Sequence, residues 1–188
     1  MVRGKVKGTI VMQTVKYIRS HGEKGRALVP ERLKHYLAGR ILPTSWHPEE
    51  DHLELMHVST ELFSGPGSSE SPAVWEEISR ATAPVYYEGP YRSLVRKGDP
   101  TRTLASYGAL WKLRHDTGDI EVVAQDETSN RIRLTGYALA SPKMCASIQG
   151  SLIGLLEHAG ARRPQASHPR CTSRGDELCE WELRWERD

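Results

Sequence analysis

The sequence predicts an α+β fold in which helices pack on one face of an antiparallel sheet. Two observations carry this. Over roughly the first 117 residues, apolar side chains recur at helical spacing. After Gly118 the period drops to two, returns to helical spacing in "SPKMCASIQGSLIGLLEHAG", and drops to two again in the final "CEWELRWE". Helices followed by hairpin, helix and hairpin is an α+β order. A length of 188 residues holds one domain with a sizeable core. We expect a single domain over 1–188, helical to about 117 and hairpin–helix–hairpin over 118–188.

From Gly8 to His21, Ile10, Val11, Val15 and Ile18 form one apolar stripe. In "VPERLKHYLAG" Pro30 suits a first helical position and Gly39 a stop. A third helix opens at Pro48, with Glu49, Glu50 and Asp51 against the positive end of its dipole. Leu53, Met56, Leu62 and Phe63 are its expected inward face. "SGPGSSESP" (Ser64 to Pro72) reads as a mobile surface connection. A helix follows from about Ala73 to Val85, with Trp75 and Ile78 on one side. Another runs from Asp99-Pro100 through Leu104, Tyr107, Leu110, Trp111 and Leu113. "DIEVVAQDETSNRIRLTGYALA" alternates about turn residues Asp126 to Asn130 and reads as a β-hairpin. Ser141 caps the next helix, Pro142 opens it and Gly160 closes it. In the last strand Cys179, Trp181, Leu183 and Trp185 point one way and Glu180, Glu182, Arg184 and Glu186 the other.

Composition narrows the function. Charged residues make up 27% and the formal net charge is +2. Without a clustered basic excess, nucleic acid is not an expected partner. Basic residues concentrate only at the start, at Arg3, Lys5, Lys7, Lys16 and Arg19, which reads as a solvated helix face. No stretch approaches the ~20 apolar residues of a membrane span, and no signal-peptide core is present. A cytoplasmic location follows as the expectation, with its thiols reduced.

The chain has 3 cysteines. An odd count in a reducing compartment argues against a disulfide framework, leaving buried free thiols or a metal site. Cys145 lies in the first turns of a helix. His168, Cys171 and Cys179 read His-x-x-Cys-x₇-Cys around a Gly-Asp turn. Three thiolates and one imidazole are a ligand set suited to a closed tetrahedral zinc site.

"MCASIQGSLIGLLEHAG…HPRCTSRGDELCEWEL" resembles the C-terminal half of the 4-vinyl reductase domain, which shares its fold with haem NO-binding and TRAPP trafficking proteins. Cys145, Gly150, Cys171, Gly175, Asp176, Cys179 and Trp181 fall on that family's pattern. Upstream, "LPTSWHPEEDHLELM" and "LWKLRHDTGDIEVV" resemble stand-alone bacterial relatives, with looser motifs. The resemblance implies zinc, which some members hold with three Cys and one Glu. This chain departs there, because His168 stands in place of the acidic residue; histidine is also a good zinc ligand.

The resemblance further implies a non-catalytic sensory module that binds a small hydrophobic or aromatic ligand between helices and sheet. TRAPP-like relatives instead assemble as dimers, so a protein adaptor without ligand is the alternative and a homodimer is expected. The chain leaves no room for an output domain, so a signal would pass through a partner. Tyr107, Trp111 and His115, spaced i, i+4, i+8, are the candidate ligand-binding residues; the same spacing also describes a core stripe. A sensor should show an apolar cavity of a few hundred Å³ there, and a scaffold a filled core. Ala146, Gly150 and Gly154 form a small-residue stripe, a candidate contact surface together with the first helix. "YRSLVR" is similar to the Tyr-x-Ser-x-Arg haem-propionate motif but has one residue too many, so haem is not expected. No spacing joins Ser, His and Asp into a catalytic triad.

Overall fold

The computed structural model describes residues 4–186. In chain order the elements are β1 (Lys5–Lys7), α1 (Gly8–Ser20), α2 (Gly22–Leu28), α3 (His35–Ala38), β2 (Trp46–Pro48), α4 (Glu49–Ser64), α5 (Pro72–Tyr87), α6 (Pro100–Ala105) and α7 (Tyr107–Arg114). Then come β3 (Asp119–Gln125), β4 (Ser129–Thr135), α8 (Pro142–Ala159), β5 (Arg162–Arg170) and β6 (Cys179–Glu186). The fold is α+β with an antiparallel sheet, as the pattern predicts. Four strands run in the order β3-β4-β6-β5, every pair antiparallel. Their inward faces match in register, with Ile132 opposite Trp181 and Leu134 opposite Cys179. Ile132, Leu134, Trp181 and Leu183 are buried under the helices. The outward face carries Arg131 and Arg133 against Glu180 and Glu182.

The α8 boundaries fall where the caps place them. Ser141 Oγ accepts from the Met144 N–H at 3.2 Å, and Gly160 ends the helix at φ 100°. On α1, Ile10, Val11, Val15 and Ile18 are buried as the stripe predicts.

Several expectations are corrected. The helix over Val29–Gly39 is broken into a 3₁₀ turn at Glu31–Leu33 and the short α3. Its buried residues, Leu33 and Tyr36, are three apart, a spacing that the tighter 3₁₀ turn aligns. On α4 the buried face is His52, Leu55, Ser59 and Leu62. Phe63 is 46% exposed, and Leu53 and Met56 are only half-buried. Polar residues share that buried stripe, so apolar spacing alone rotates it. The helix from Pro100 is interrupted at Ser106, and Leu113 is 51% exposed. The break brings Gly108 against β3, where a Cβ would meet the Ile120 carbonyl oxygen at 2.8 Å.

The Ser64–Pro72 connection is pinned. The Glu61 carboxylate accepts from the Gly67 and Ser69 N–H groups and the Ser69 hydroxyl, and Trp75 Nε1 donates to the Ser69 carbonyl. The basic helix face is reduced to Lys16 and Arg19, both exposed on α1. Arg3 lies outside the described residues, Lys5 and Lys7 belong to β1, and Arg19 donates to the Tyr36, Leu37 and Gly39 carbonyls at the end of α3.

The small-residue stripe is an internal crossing. A Cβ at Gly150 would lie 2.0 Å from the Glu76 carbonyl oxygen, and one at Gly154 would lie 2.4 Å from Ala83 Cβ. These glycines let α8 seat directly on α5. The α1 stripe is spent in the core too, so neither nominated surface is free for a second copy. Among the described residues, no helix is long and apolar enough to cross a membrane.

Candidate metal centre

The four predicted ligands converge. The ligand atoms of Cys145, His168, Cys171 and Cys179 all lie within 4.8 Å of one another. Each comes from a different local cause. Cys145 sits in the first turns of α8, where the Ser141 cap fixes the entry. Its N–H bonds the Ser141 carbonyl at 2.8 Å. His168 is on the inward face of β5. Cys171 ends that strand and opens a tight turn through Asp176. The Cys171 N–H donates to Asp176 Oδ2 at 2.7 Å, and the Asp176 N–H returns to the Cys171 carbonyl at 3.2 Å. Gly175 supplies the left-handed residue that this turn needs, at φ 94°. The chain then re-enters the sheet at Cys179, the first residue of β6.

The geometry is that of a cage. Cys145 Sγ lies 3.7 Å from both Cys171 Sγ and Cys179 Sγ. Metal–sulfur bonds of about 2.3 Å in a tetrahedron place two sulfurs roughly 3.8 Å apart, whereas a disulfide needs about 2.05 Å. All three cysteines are free and buried. His168 stacks on Trp181, with ring centroids 4.4 Å apart and planes 2° from parallel. Its Nε2 is buried with no hydrogen-bond partner outside the cage. A buried polar atom without a partner is costly, and a metal ion would satisfy this one. The Cys145 sulfur holds the Cys179 thiol well below its usual range by hydrogen bonding, with His168 and Thr172 adding to the effect. Conversely, the hydrogen bond to Cys179, followed by burial, pushes the Cys145 thiol far up. This cluster can hold a metal ion, and the donor set fits zinc.

A cleft of about 260 Å³ abuts the cage and reaches His168 and Cys171. Pro72, Glu76, Gln149 and Arg174 are among its walls, and Arg174 also donates to the His168 carbonyl at 2.6 Å. It gives a metal or a chelator a way in.

The three candidate ligand-binding residues do not meet in one cavity. Trp111 and His115 stack at 4.0 Å, and Trp111 Nε1 donates to the Thr117 carbonyl at 2.9 Å. Tyr107 faces a different space, a narrow void shared with Tyr87, Leu110 and Leu155 that is too tight for a water molecule. The space among α5, α6, α7 and α8 is filled there.

His115 belongs to a buried polar group that periodicity does not show. Its Nδ1 lies 2.5 Å from Glu49 Oε1, which also accepts from the Tyr137 hydroxyl at 2.8 Å. Burial lowers the His115 pKa, and the bond to Glu49 opposes that shift. The sequence singles out Glu49 at a helix start and His115 in the aromatic stripe, with nothing to join the two.

The haem-like motif does not assemble. The Tyr91 hydroxyl is 2.7 Å from Thr9 Oγ1, and Arg96 folds back on the Ser93 carbonyl at 3.1 Å. With the neighbouring void closed to water, these residues do not fit a haem.

No family model matches the chain, and no curated protein matches it. The similarity lies in solved structures, H-NOX domains among them. A point mutant of T. Tengcongensis H-NOX is 14% identical at a TM-score of 0.64, covering 96% of this chain and 98% of that one. The unliganded Fe(II) H-NOX protein from K. algicida is 13% identical at 0.66, covering 97% of each. An oxygen-binding H-NOX domain related to soluble guanylate cyclases, in its oxygen complex, is 15% identical at 0.66, covering 96% and 95%. The fold is thus haem NO-binding-like across nearly the whole chain.

Proposed function

We propose that this haem NO-binding-like fold serves as a non-catalytic sensory or regulatory module braced by structural zinc at Cys145, His168, Cys171 and Cys179. The observation that carries the metal is the cage itself: Cys145 Sγ at tetrahedral spacing from the other two sulfurs, all four ligand atoms within 4.8 Å, and one imidazole nitrogen with no partner outside the cage. With four protein ligands no position is left for a water, so the ion braces and does no hydrolytic chemistry. It would tie the start of α8 to the β5–β6 hairpin. Within this reading the chain is a 4-vinyl reductase-like domain, one unit over 1–188, working in the cytoplasm as a homodimer. Elemental analysis of protein purified without a polyhistidine tag tests the metal. One zinc per chain is expected, and a stoichiometry near zero defeats the reading.

The sensory half rests on the shared fold, since one H-NOX relative is described as binding oxygen, and on the aromatic-rich core around Tyr107, Trp111 and His115. The competing reading is a protein adaptor without ligand. The filled space beside Tyr107 favours it. Thermal-shift screening with hydrophobic and aromatic compounds separates the two: stabilisation supports the sensor, and a flat response across the set supports the adaptor.

A further inference from the structure

Arg114, the last residue of α7, has the Tyr87 hydroxyl as a hydrogen-bond partner but no carboxylate against its guanidinium among the described residues. The residue is half-buried, and its Nε is sealed from solvent with no acceptor among the described residues. Glu49, the buried carboxylate near α7, meets His115 and Tyr137 through Oε1, and its Oε2 is buried without a hydrogen-bond partner, so it does not reach Arg114. The guanidinium lies instead over the rings of Tyr86 and Tyr91, 5.3 Å and 5.9 Å from their centroids. Tyr107 is on the same face of α7 two turns earlier, and Tyr87 is its neighbour along the void. Phenol rings offset only part of the hydration that a cation loses on burial, and sequestered guanidinium groups in proteins are ordinarily paired with an anion.

We propose that Arg114 anchors a small organic anion, an aromatic carboxylate. The carboxylate would take the guanidinium fork, and the ring would lie among Tyr86, Tyr91 and the wall formed by Tyr87 and Tyr107. This deepens the ligand-binding reading above and rests on it. The planar fork matches a carboxylate edge to edge, and the flanking phenols suit a flat ring. A phosphate or sulfate would turn its remaining oxygens onto apolar ring faces. Because the adjoining void admits no water, the ligand would enter by displacing tyrosine side chains.

The test is calorimetric titration of the full-length, metal-loaded protein with benzoate, phenylacetate and cinnamate, each against its neutral amide. The acids should bind roughly tenfold or more tightly than the amides, the usual weight of a charge-assisted hydrogen bond, and should raise the unfolding temperature. Arg114→Met should abolish the preference, and Arg114→Lys, which keeps the charge but not the fork, should weaken it. Equal binding of acids and amides overturns the anion proposal while leaving a ligand-binding module. No binding by either series overturns it together with the sensory reading. If Arg114→Met does not fold, the comparison of acid with amide on the unmodified protein decides alone.

Discussion

His52 is a histidine that the fold keeps uncharged. It is 6% exposed and bonds Thr14 Oγ1 through Nε2 at 3.1 Å. Burial, with smaller contributions from the charges of His115 and Arg114, lowers its pKa to about 3. An unfolded histidine titrates near 6.5. Between those values the unfolded chain binds a proton that the folded chain refuses. The contribution is therefore complete above about pH 6.5 and is lost as pH falls, by at most ~1.4 kcal/mol per pH unit. Denaturant midpoints should drop from pH 7 to pH 5, and His52→Gln, which keeps a partner for Thr14, should flatten part of that slope. An unchanged slope would place the proton elsewhere. At the cage, Cys179→Ser should release the metal and lower the unfolding temperature far more than the same change at an exposed position, because metal binding here is folding energy. Retained zinc with unchanged stability would remove Cys179 from the ligand set.

Among the elements, the α5–α8 crossing sets the tolerance. A methyl group at Gly150 would press on the Glu76 carbonyl, which is backbone and cannot swing aside. Gly150→Ala should cost roughly 1–3 kcal/mol in equilibrium denaturation. A neutral effect would mean that the two helices sit further apart than they do here. What could be read from the sequence follows the range of the interaction. The cage was legible because its ligands lie close along the chain around a cap and a turn, and both have local signatures. The bounds of α8 were legible for the same reason. The face of α4 was not, because His52 is buried through Thr14 on α1, while the Ser59 and Thr60 hydroxyls satisfy themselves on the Leu55 and Met56 carbonyls one turn back and so can be buried like apolar residues. The Glu49–His115–Tyr137 group was invisible because Glu49 meets His115 across 66 residues. The purpose of Gly150 and Gly154 was misread because a stripe of small residues shows that something approaches closely without saying what.

For the molecule as a whole, removing the metal should act unevenly. Chelation should lower the unfolding temperature and speed amide exchange in β5, β6 and the first turns of α8. Exchange in α1 and α4, which contribute no ligand, should change little. Uniform acceleration would mean that the ion stabilises the fold globally. The proposed homodimer is checked by light scattering at micromolar concentration. The expected mass is about twice the 21.1 kDa of the chain, and a mass near 21.1 kDa throughout would dismiss it.

Where a partner could attach is narrowed by one of the sheet's two end strands. β5 ends the sheet, and an end strand is ordinarily an invitation to another chain, since its outer backbone groups await a partner. Here the invitation is withdrawn twice. The pairing of β5 with β6 slips between Arg162 and Gln165 and again between Ser167 and Arg170, and each slip contains a proline, Pro164 and Pro169. Neither proline has an N–H to donate, and Arg163 beside the first turns to φ 45°. The border offers no straight run of donors onto which a foreign strand could zip. The protein is thereby guarded against fibrillar growth through this border, and a second copy arriving at β5 must meet it side chain to side chain, which leaves β3, the other end of the sheet, as the edge open to strand pairing.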